Sequence, residues 1–265
     1  MGLREDWKTE VEFILRNENI QVESRDHGCF HLLFIAGNEL LINLISLNQS
    51  VTAEQLLLLQ EEYHLKQIQV IQLWEDVWIA KKDQVLSRIH SMLGLNKRIH
   101  GRSTTVGKVS KADAALFLEQ YHLQGSVNAR YCYGLYFKEE LVALATFSNK
   151  RRMKQRGENY SSAELIRFAT KEGLTVVGGM SKLIKYYAKL YGPDDLMTYA
   201  DRDWSLGNGY TSAGFKLVAV TDPIFMFVNP TLGKRYVQGD NQLNRKEPNE
   251  ITVFNTGNLK YILDF

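Results

Sequence analysis

Two cysteines in 265 residues, Cys29 and Cys132, stand about a hundred positions apart and in no CxxC spacing. That excludes a disulfide scaffold and a zinc ribbon, and leaves reduced, buried thiols in a cytoplasm as the expectation. No apolar run nears the ~20 residues of a membrane helix; the longest, Leu40–Ile45 and Leu56–Leu59, are sized for a strand or a core helix. The first ten residues, MGLREDWKTE, are charged from the outset, so no export signal and no membrane partner are expected. Charge of one sign is also scarce. Thirty-two basic residues against 30 acidic give +2, a total that does not by itself indicate a nucleic-acid binder. Apolar residues at 45% and charged residues at 23% exclude a disordered, collagenous or coiled-coil chain. The length suits one large domain or two modest ones.

The distribution of charge is more informative than its sum. Five of the seven residues from Lys150 to Arg156 are basic (Lys150, Arg151, Arg152, Lys154, Arg156), and Lys97, Arg98, His100 and Arg102 form a second cluster. On their own these are solvated loops; exposed basic side chains also contact phosphates. The polar, aperiodic stretch Asn96–Gly107 follows a helix that ends at Gly94 and reads as a linker. The expected domains are therefore 1–95 and 108–265, joined by 96–107.

In the first segment, apolar spacing predicts helices over Trp7–Asn17, Thr52–Tyr63 (capped by Thr52) and Lys81–Leu93. Strands Phe30–Ala36 and Leu40–Leu47 flank a glycine turn, and Ile68–Leu73 is a further strand. In the second, Ser110 and Asp113 resemble a capping box before a helix Ala114–Tyr121. A hairpin Tyr131–Phe137/Leu141–Ser148, a strand Ala163–Ala169, a helix Ser181–Tyr191, a strand Leu196–Ala200, a short helix Gly209–Ala213 and strands Phe215–Val220 and Ile224–Val228 follow.

Before the helix at Ser181 runs Thr175-Val-Val-Gly-Gly-Met-Ser-Lys-Leu183. Glycines let a backbone approach a phosphate, and free amides at a helix start attract it; an ordinary turn is the alternative. The loop lies between Glu164-Leu-Ile-Arg-Phe168 and Tyr210-Thr-Ser-Ala-Gly-Phe215. That succession, over about residues 110–228, resembles the GCN5-related N-acetyltransferase (GNAT) superfamily. The resemblance implies an acyl-CoA cofactor, its pyrophosphate on Val177, Gly178, Gly179, Ser181 and Lys182 and its pantetheine arm beside Tyr210. The family loop reads Gln/Arg-x-x-Gly-x-Gly/Ala, whereas this one reads Val176-Val-Gly-Gly-Met-Ser181.

His122-Leu-Gln-Gly125, Glu164-Leu-Ile-Arg167, Tyr199-Ala-Asp-Arg202, Trp204-Ser205, Gly207-Asn208 and Asn255-x-Gly-Asn-Leu-Lys260 extend the likeness to nearly the whole chain. They are similar to a phage homing-endonuclease-like group that joins a Vsr/PD-(D/E)XK nuclease-like domain to a GNAT-like one, the latter also resembling Mom-type DNA-modification enzymes. The implied fold is α/β (α+β): a restriction-endonuclease-like α/β domain, then a GNAT-like mixed-sheet domain with a C-terminal β extension. Such a nuclease needs carboxylates on adjacent strands to hold Mg²⁺. Here the first strand has none, and Asn43 and Ile45 occupy the second, with Glu39 too early, so no metal is expected in this half. Glu12, Glu23 and Asp26 are the residues by which an active site would be rescued. Glu75 and Asp76 read as capping residues, and His31 and His64 as core or surface histidines.

In the second half Glu164 and Arg167, three apart on one strand, are expected on opposite faces. Asp201, Arg202 and Asp203 follow a strand end, where ligands bind in open α/β sheets. Asp201 is a candidate base with Tyr199 or His122 as acid; an Arg167–Asp201 brace is the structural alternative. Glu164, Arg167, Tyr199, Asp201 and His122 thus form the candidate catalytic set. Lys150, Arg151, Arg152, Lys154, Arg156, Arg202 and Trp204 are the candidate contacts to DNA or RNA, with Trp204 and Tyr160 able to stack a base. The leading expectation is transfer of an acyl-type group to a nucleobase or other amine beside an inactive nuclease-like domain. A non-catalytic DNA-binding module and an active endonuclease are the alternatives.

Overall fold

The computed structural model describes residues 4, 6–37, 39–229, 234–237 and 250–265. In chain order the first half holds α1 (Trp7–Asn17), β1 (Val22–His27), β2 (Phe30–Ile35), β3 (Leu40–Ile45), α2 (Ala53–Leu65), β4 (Gln69–Trp74) and α3 (Glu75–Met92). Next come β5 (Lys97–His100), a 3₁₀ turn at Gly101–Ser103, β6 (Thr105–Lys108), α4 (Lys111–Tyr121), β7 (Tyr131–Phe137), β8 (Glu140–Phe147), β9 (Arg151–Arg152) and β10 (Ser161–Thr170). The remainder is β11 (Leu174–Val177), α5 (Gly179–Tyr191), β12 (Asp195–Asp201), α6 (Asn208–Ser212), β13 (Lys216–Val220), β14 (Phe225–Asn229), β15 (Lys234–Val237), β16 (Ile251–Phe254) and β17 (Asn258–Asp264).

The chain divides into two compact units that interleave in sequence. One comprises residues 1–82, 200–206 and 220–259; the other comprises 83–199, 207–219 and 260–265. Helix α3 spans a division point and leaves helical geometry at Lys81 (φ −140°), just before it.

The first unit carries a four-stranded sheet in the order β1-β2-β3-β4, antiparallel except for the parallel β3–β4 pair. Strand β3 is buried at every position, as a central strand covered on both faces must be. Helix α1 buries Trp7, Val11 and Leu15. Helix α2 opens with a full capping box, Thr52 accepting from the Gln55 amide and the Gln55 side chain accepting from the Thr52 amide. Its Leu59 and Tyr63 pack on Leu32, Phe34, Leu41 and Val70. The three-stranded sheet β15-β14-β16 belongs to this unit, where Val228, Val253 and Phe254 join Ile45, Leu56 and Trp74 in one core.

The second unit is built on a mixed sheet ordered β13-β17-β12-β10-β8-β7-β6, with β9 paired to β10. The stretch 96–107, expected to lack regular structure, instead forms β5 and β6. Strand β5 pairs in parallel with β11, and β6 pairs antiparallel with β7. Lys97, Arg98 and His100 are exposed while Ile99 is buried, so the strand is anchored by one apolar side chain and its backbone bonds. Helix α4 begins three residues before the expected Ala114, capped by the Ser110 hydroxyl accepting from the Asp113 amide. Lys138 and Glu139, both at positive φ, turn the β7–β8 hairpin.

Candidate functional site

Two irregularities in β10 shape the second unit. Strand β10 pairs with β8 through Leu165↔Phe147 and then Arg167↔Thr146, so Ile166 is an inserted residue, a β-bulge. The extra residue reverses the alternation beyond it. Glu164 and Arg167 therefore share the sheet face that carries Thr146, correcting the expectation of opposite faces. The second irregularity is on the other edge. The parallel β10–β12 ladder runs only from Ser162↔Asp195 to Glu164↔Met197, although both strands continue. At the point of separation the Thr198 hydroxyl donates to the Leu165 carbonyl (2.9 Å), replacing a ladder bond with a side-chain bond. The Glu164 amide donates to the Ser148 hydroxyl (2.9 Å). Its half-buried carboxylate lies 3.7 Å from the Arg151 guanidinium, a weak exposed pair.

Helix α5 starts from Gly178 at φ +71°, with open space where a side chain would stand. Gly179 is different: a Cβ there would lie 2.8 Å from the Val176 side chain and 2.9 Å from that of Leu135, so any larger residue would force these neighbours to shift. The first intrahelical bond is from the Lys182 amide to the Gly178 carbonyl, which leaves the amides of 179–181 outside the helix ladder. Val177 is 43% exposed beside them. The Lys182 ammonium is committed to the chain itself, donating to the carbonyls of Gly101 (2.9 Å) and Thr104. The turn that follows β5 is thus tied to the start of α5, and Gly101 packs on the backbone of Val177, Gly178 and Gly179.

The other candidates fall in several places. Tyr210, on α6, packs edgewise on Phe215 and beside Tyr261. Tyr199, on β12, is 38% exposed, with the Lys260 ammonium 6.0 Å from its ring centre. His122 ends α4 and accepts from the Gln124 amide through Nδ1 (3.1 Å). Asp201, Arg202 and Trp204 belong to the first unit. There Asp201 accepts from the Asp203 amide (3.1 Å) and the Asn255 side chain (3.3 Å), Arg202 donates to the Thr256 carbonyl (3.2 Å), and Trp204 is buried.

The basic segment is only partly open. Arg156 pairs with the buried Asp195 (2.7 Å), to which the Tyr160 hydroxyl also donates (2.9 Å); Arg151 faces Glu164; and Lys150 reaches the Gly192 carbonyl (3.4 Å). Arg152 and Lys154 are exposed.

In the first unit Asn43 is fully buried and donates its amide to the Gln72 side chain (2.8 Å). Glu75, buried, accepts from the Leu47 amide, and Asp76 holds Arg235 through two bonds of 2.6 and 2.8 Å. Glu12 and Asp26 flank His31, at 3.3 Å and 2.7 Å. Among the described residues no three His, Cys, Asp or Glu side chains gather so as to hold a metal ion. No described helix is long and apolar enough to cross a membrane.

Asp203, in the run after the strand but outside the candidate catalytic set, is the most strongly perturbed acid described. It is buried and accepts from both the amide (2.8 Å) and the hydroxyl (2.7 Å) of Thr256. Burial, reinforced by the neighbouring Asp201 charge, pushes its carboxyl up to about 8. An acid with a raised native pKa binds its proton more tightly folded than unfolded, so the stability it supports falls as pH rises from about 4 towards 8. Asp203→Asn should therefore flatten the loss of denaturant midpoint between pH 5 and pH 8. An unchanged slope in the variant would refute this.

No family model matches the chain, and no curated protein matches it. Among solved structures it is similar to a Bacillus subtilis acetyltransferase in complex with CoA, at 17% identity over 61% of this chain and 99% of that one, with a TM-score of 0.37. An IAA acetyltransferase from Bacillus cereus is similar at 15% identity, over 62% and 100%, with a TM-score of 0.38. The ribosomal-protein-S18-alanine N-acetyltransferase of Escherichia coli is similar at 11% identity, over 61% and 93%, with a TM-score of 0.38.

Proposed function

We propose that the second unit is an acyltransferase that takes its acyl group from an acyl-CoA and passes it to an amine. The observation that carries this reading is the parting of two parallel strands, β10 and β12, immediately after Glu164 and Met197. At the opening the Leu165 carbonyl is taken by the Thr198 hydroxyl and the Ile166 carbonyl by the Arg167 guanidinium; an extended amide-bearing arm would pair with ladder positions beyond them. The glycine-led start of α5 supports the same reading, since the amides of 179–181 suit a pyrophosphate. These residues fit the group: the exposed Gly178 leaves room for close approach, and Lys182 fixes the turn rather than filling it. When bound, acyl-CoA supplies a thioester whose carbonyl carbon accepts the amine nitrogen as the thiol leaves. Glu164 is the base that takes the proton from that nitrogen; it lies where the strands divide and keeps part of its carboxylate in solvent. Asp201, held by Asn255 and the Asp203 amide, braces its own loop.

For the first unit the order helix, three-strand meander, helix, parallel strand supports descent from a nuclease-like domain. Asn43, spent on Gln72 inside the core, supports its having lost metal-dependent cleavage. Nucleic acid remains a partner proposed for the second unit, with Arg152 and Lys154 as its exposed cationic contacts.

The donor reading is tested by thermal shift and calorimetry with CoA and acetyl-CoA. At a hundredfold excess over Kd, ligand binding adds about 2.7 kcal/mol to stability, a rise of several degrees in Tm. No shift and no heat with either compound at millimolar concentration would remove the acyl-CoA reading.

A further inference from the structure

Where α4 lies against the sheet, it presents Ala114 and Ala115. The short side chains leave a cavity of about 330 Å³, walled also by Leu118, Ala129, Cys132 and Thr146. Exposed Lys111, Val127 and Asn128 border it, so it opens to solvent, and it reaches the size of about 300 Å³ at which ligand pockets begin. One wall bears an uncompensated polar atom: Thr146 is 1% exposed and its hydroxyl has no hydrogen-bond partner among the described residues. Buried hydroxyls are ordinarily satisfied, because leaving one unpaired forfeits its hydration without return. Cys132, opposite Thr146 in the β7–β8 register, is held as a neutral thiol by burial and adds to the apolar wall.

A second cavity of about 240 Å³ shares Lys111, Asn128 and Ala129 with the first and continues to Arg130, Ser148 and the bulge residue Ile166. Among the described residues no carboxylate lines either chamber, whereas two cations, Lys111 and Arg130, line the outer one. The wall formed by residues 125–129 is pinned in place. Gly125 turns at φ +65° against the Glu119 carboxylate, which accepts from both the amide (2.8 Å) and the hydroxyl (2.7 Å) of Ser126. The site is therefore built before any ligand arrives.

We propose that these two chambers form a binding site for a short-chain organic monocarboxylate. Its alkyl chain lies among Ala114, Leu118 and Cys132, and its carboxylate is met by the Thr146 hydroxyl and the Lys111 ammonium. A charge-assisted bond satisfies the orphaned hydroxyl, and the alkyl chain fills the void. The outer chamber adjoins Glu164, whose amide donates to the lining Ser148 hydroxyl, so the proposal assigns a ligand beside the proposed base, and CoA binding, read separately, distinguishes its failure from that of the donor reading.

The test is an NMR titration and calorimetry of the full chain with butanoate and hexanoate, with butanamide as the neutral counterpart. Saturable binding of the carboxylates is expected, with butanamide about tenfold weaker. Thr146→Val and Lys111→Gln should each weaken binding about tenfold. Thr146→Ser should keep it, and Ala115→Phe, which fills the chamber, should abolish it. Melting curves and CoA titrations identify which variants fold; Thr146→Ser and the exposed Lys111→Gln decide the matter if the larger changes do not. The proposal is overturned if no carboxylate binds saturably, showing that water alone occupies the space. It is equally overturned if butanamide matches butanoate, or if a folded Ala115→Phe chain binds unchanged.

Discussion

Glu164→Gln should lower kcat for acyl transfer to an amine by about 10²–10⁴-fold, the usual contribution of a positioned general base. The variant keeps the size and main-chain bonds of the residue, including the amide bond to the Ser148 hydroxyl. CoA affinity should therefore change little, because donor binding falls to main-chain groups of the strand opening and α5. A variant with normal kcat would transfer the role of base elsewhere, and one that lost CoA binding in parallel with rate would mark Glu164 as structural. Arg151→Gln serves as the companion. Its guanidinium is 3.7 Å from the carboxylate and largely exposed, so only a small change is expected.

The largest effect on stability is expected at Gly257, on the first unit's loop before β17. Gly257 adopts φ +90°, and a Cβ there would lie 2.2 Å from the Thr221 carbonyl oxygen and 3.1 Å from that of Asp222. Those neighbours are backbone. They are also fixed, since the Thr221 amide donates to the Asn258 carbonyl (2.8 Å) and the Asn258 amide to the Thr221 hydroxyl (2.8 Å). Gly257→Ala combines a left-handed backbone, costing about 1–2 kcal/mol, with overpacking of about 1–3 kcal/mol. A loss of about 3 kcal/mol should lower Tm by roughly 10 °C for a chain of this size. Gly178→Ala is the contrast: its φ is also positive, but nothing lies within 4 Å of the added methyl, so only the conformational cost applies. Equal melting temperatures for the two variants would show that the Thr221 contact yields.

Local signals marked most elements well. The apolar residues Trp7, Val11, Phe13, Ile14 and Leu15 placed α1 at its observed bounds, although Phe13 is exposed, and Thr52 and Ser110 marked helix starts because capping is settled within three residues. Pairing with distant partners left no comparable mark. Strand β5 is a charged tetrapeptide whose identity depends on Leu174–Val177, more than seventy residues away. The bulge at Ile166 is an insertion relative to β8, so the alternation of β10 alone could not disclose it or the shared face of Glu164 and Arg167. The glycine pair ahead of α5 was evident, but not that the Lys182 ammonium is claimed by carbonyls eighty residues earlier. Asp203 stood in an obvious run of charges, Asp201-Arg-Asp203, yet nothing in that run reveals that Thr256 shelters its carboxyl. The chamber behind Ala114 and Ala115 had no signature beyond two small residues in a helix.

The contact of Gly101 with the start of α5 also bears on how this chain can change. Segments that join elements usually accept insertions and substitutions freely, but residues 97–104 serve as an outer buttress for the amides that begin the helix. Any side chain at position 101 would press on the backbone of Val177 and Gly179 within about 3 Å, so drift in a stretch that looks like a spacer would be transmitted to the mouth of the helix. The tether is therefore under the same constraint as the helix start it supports.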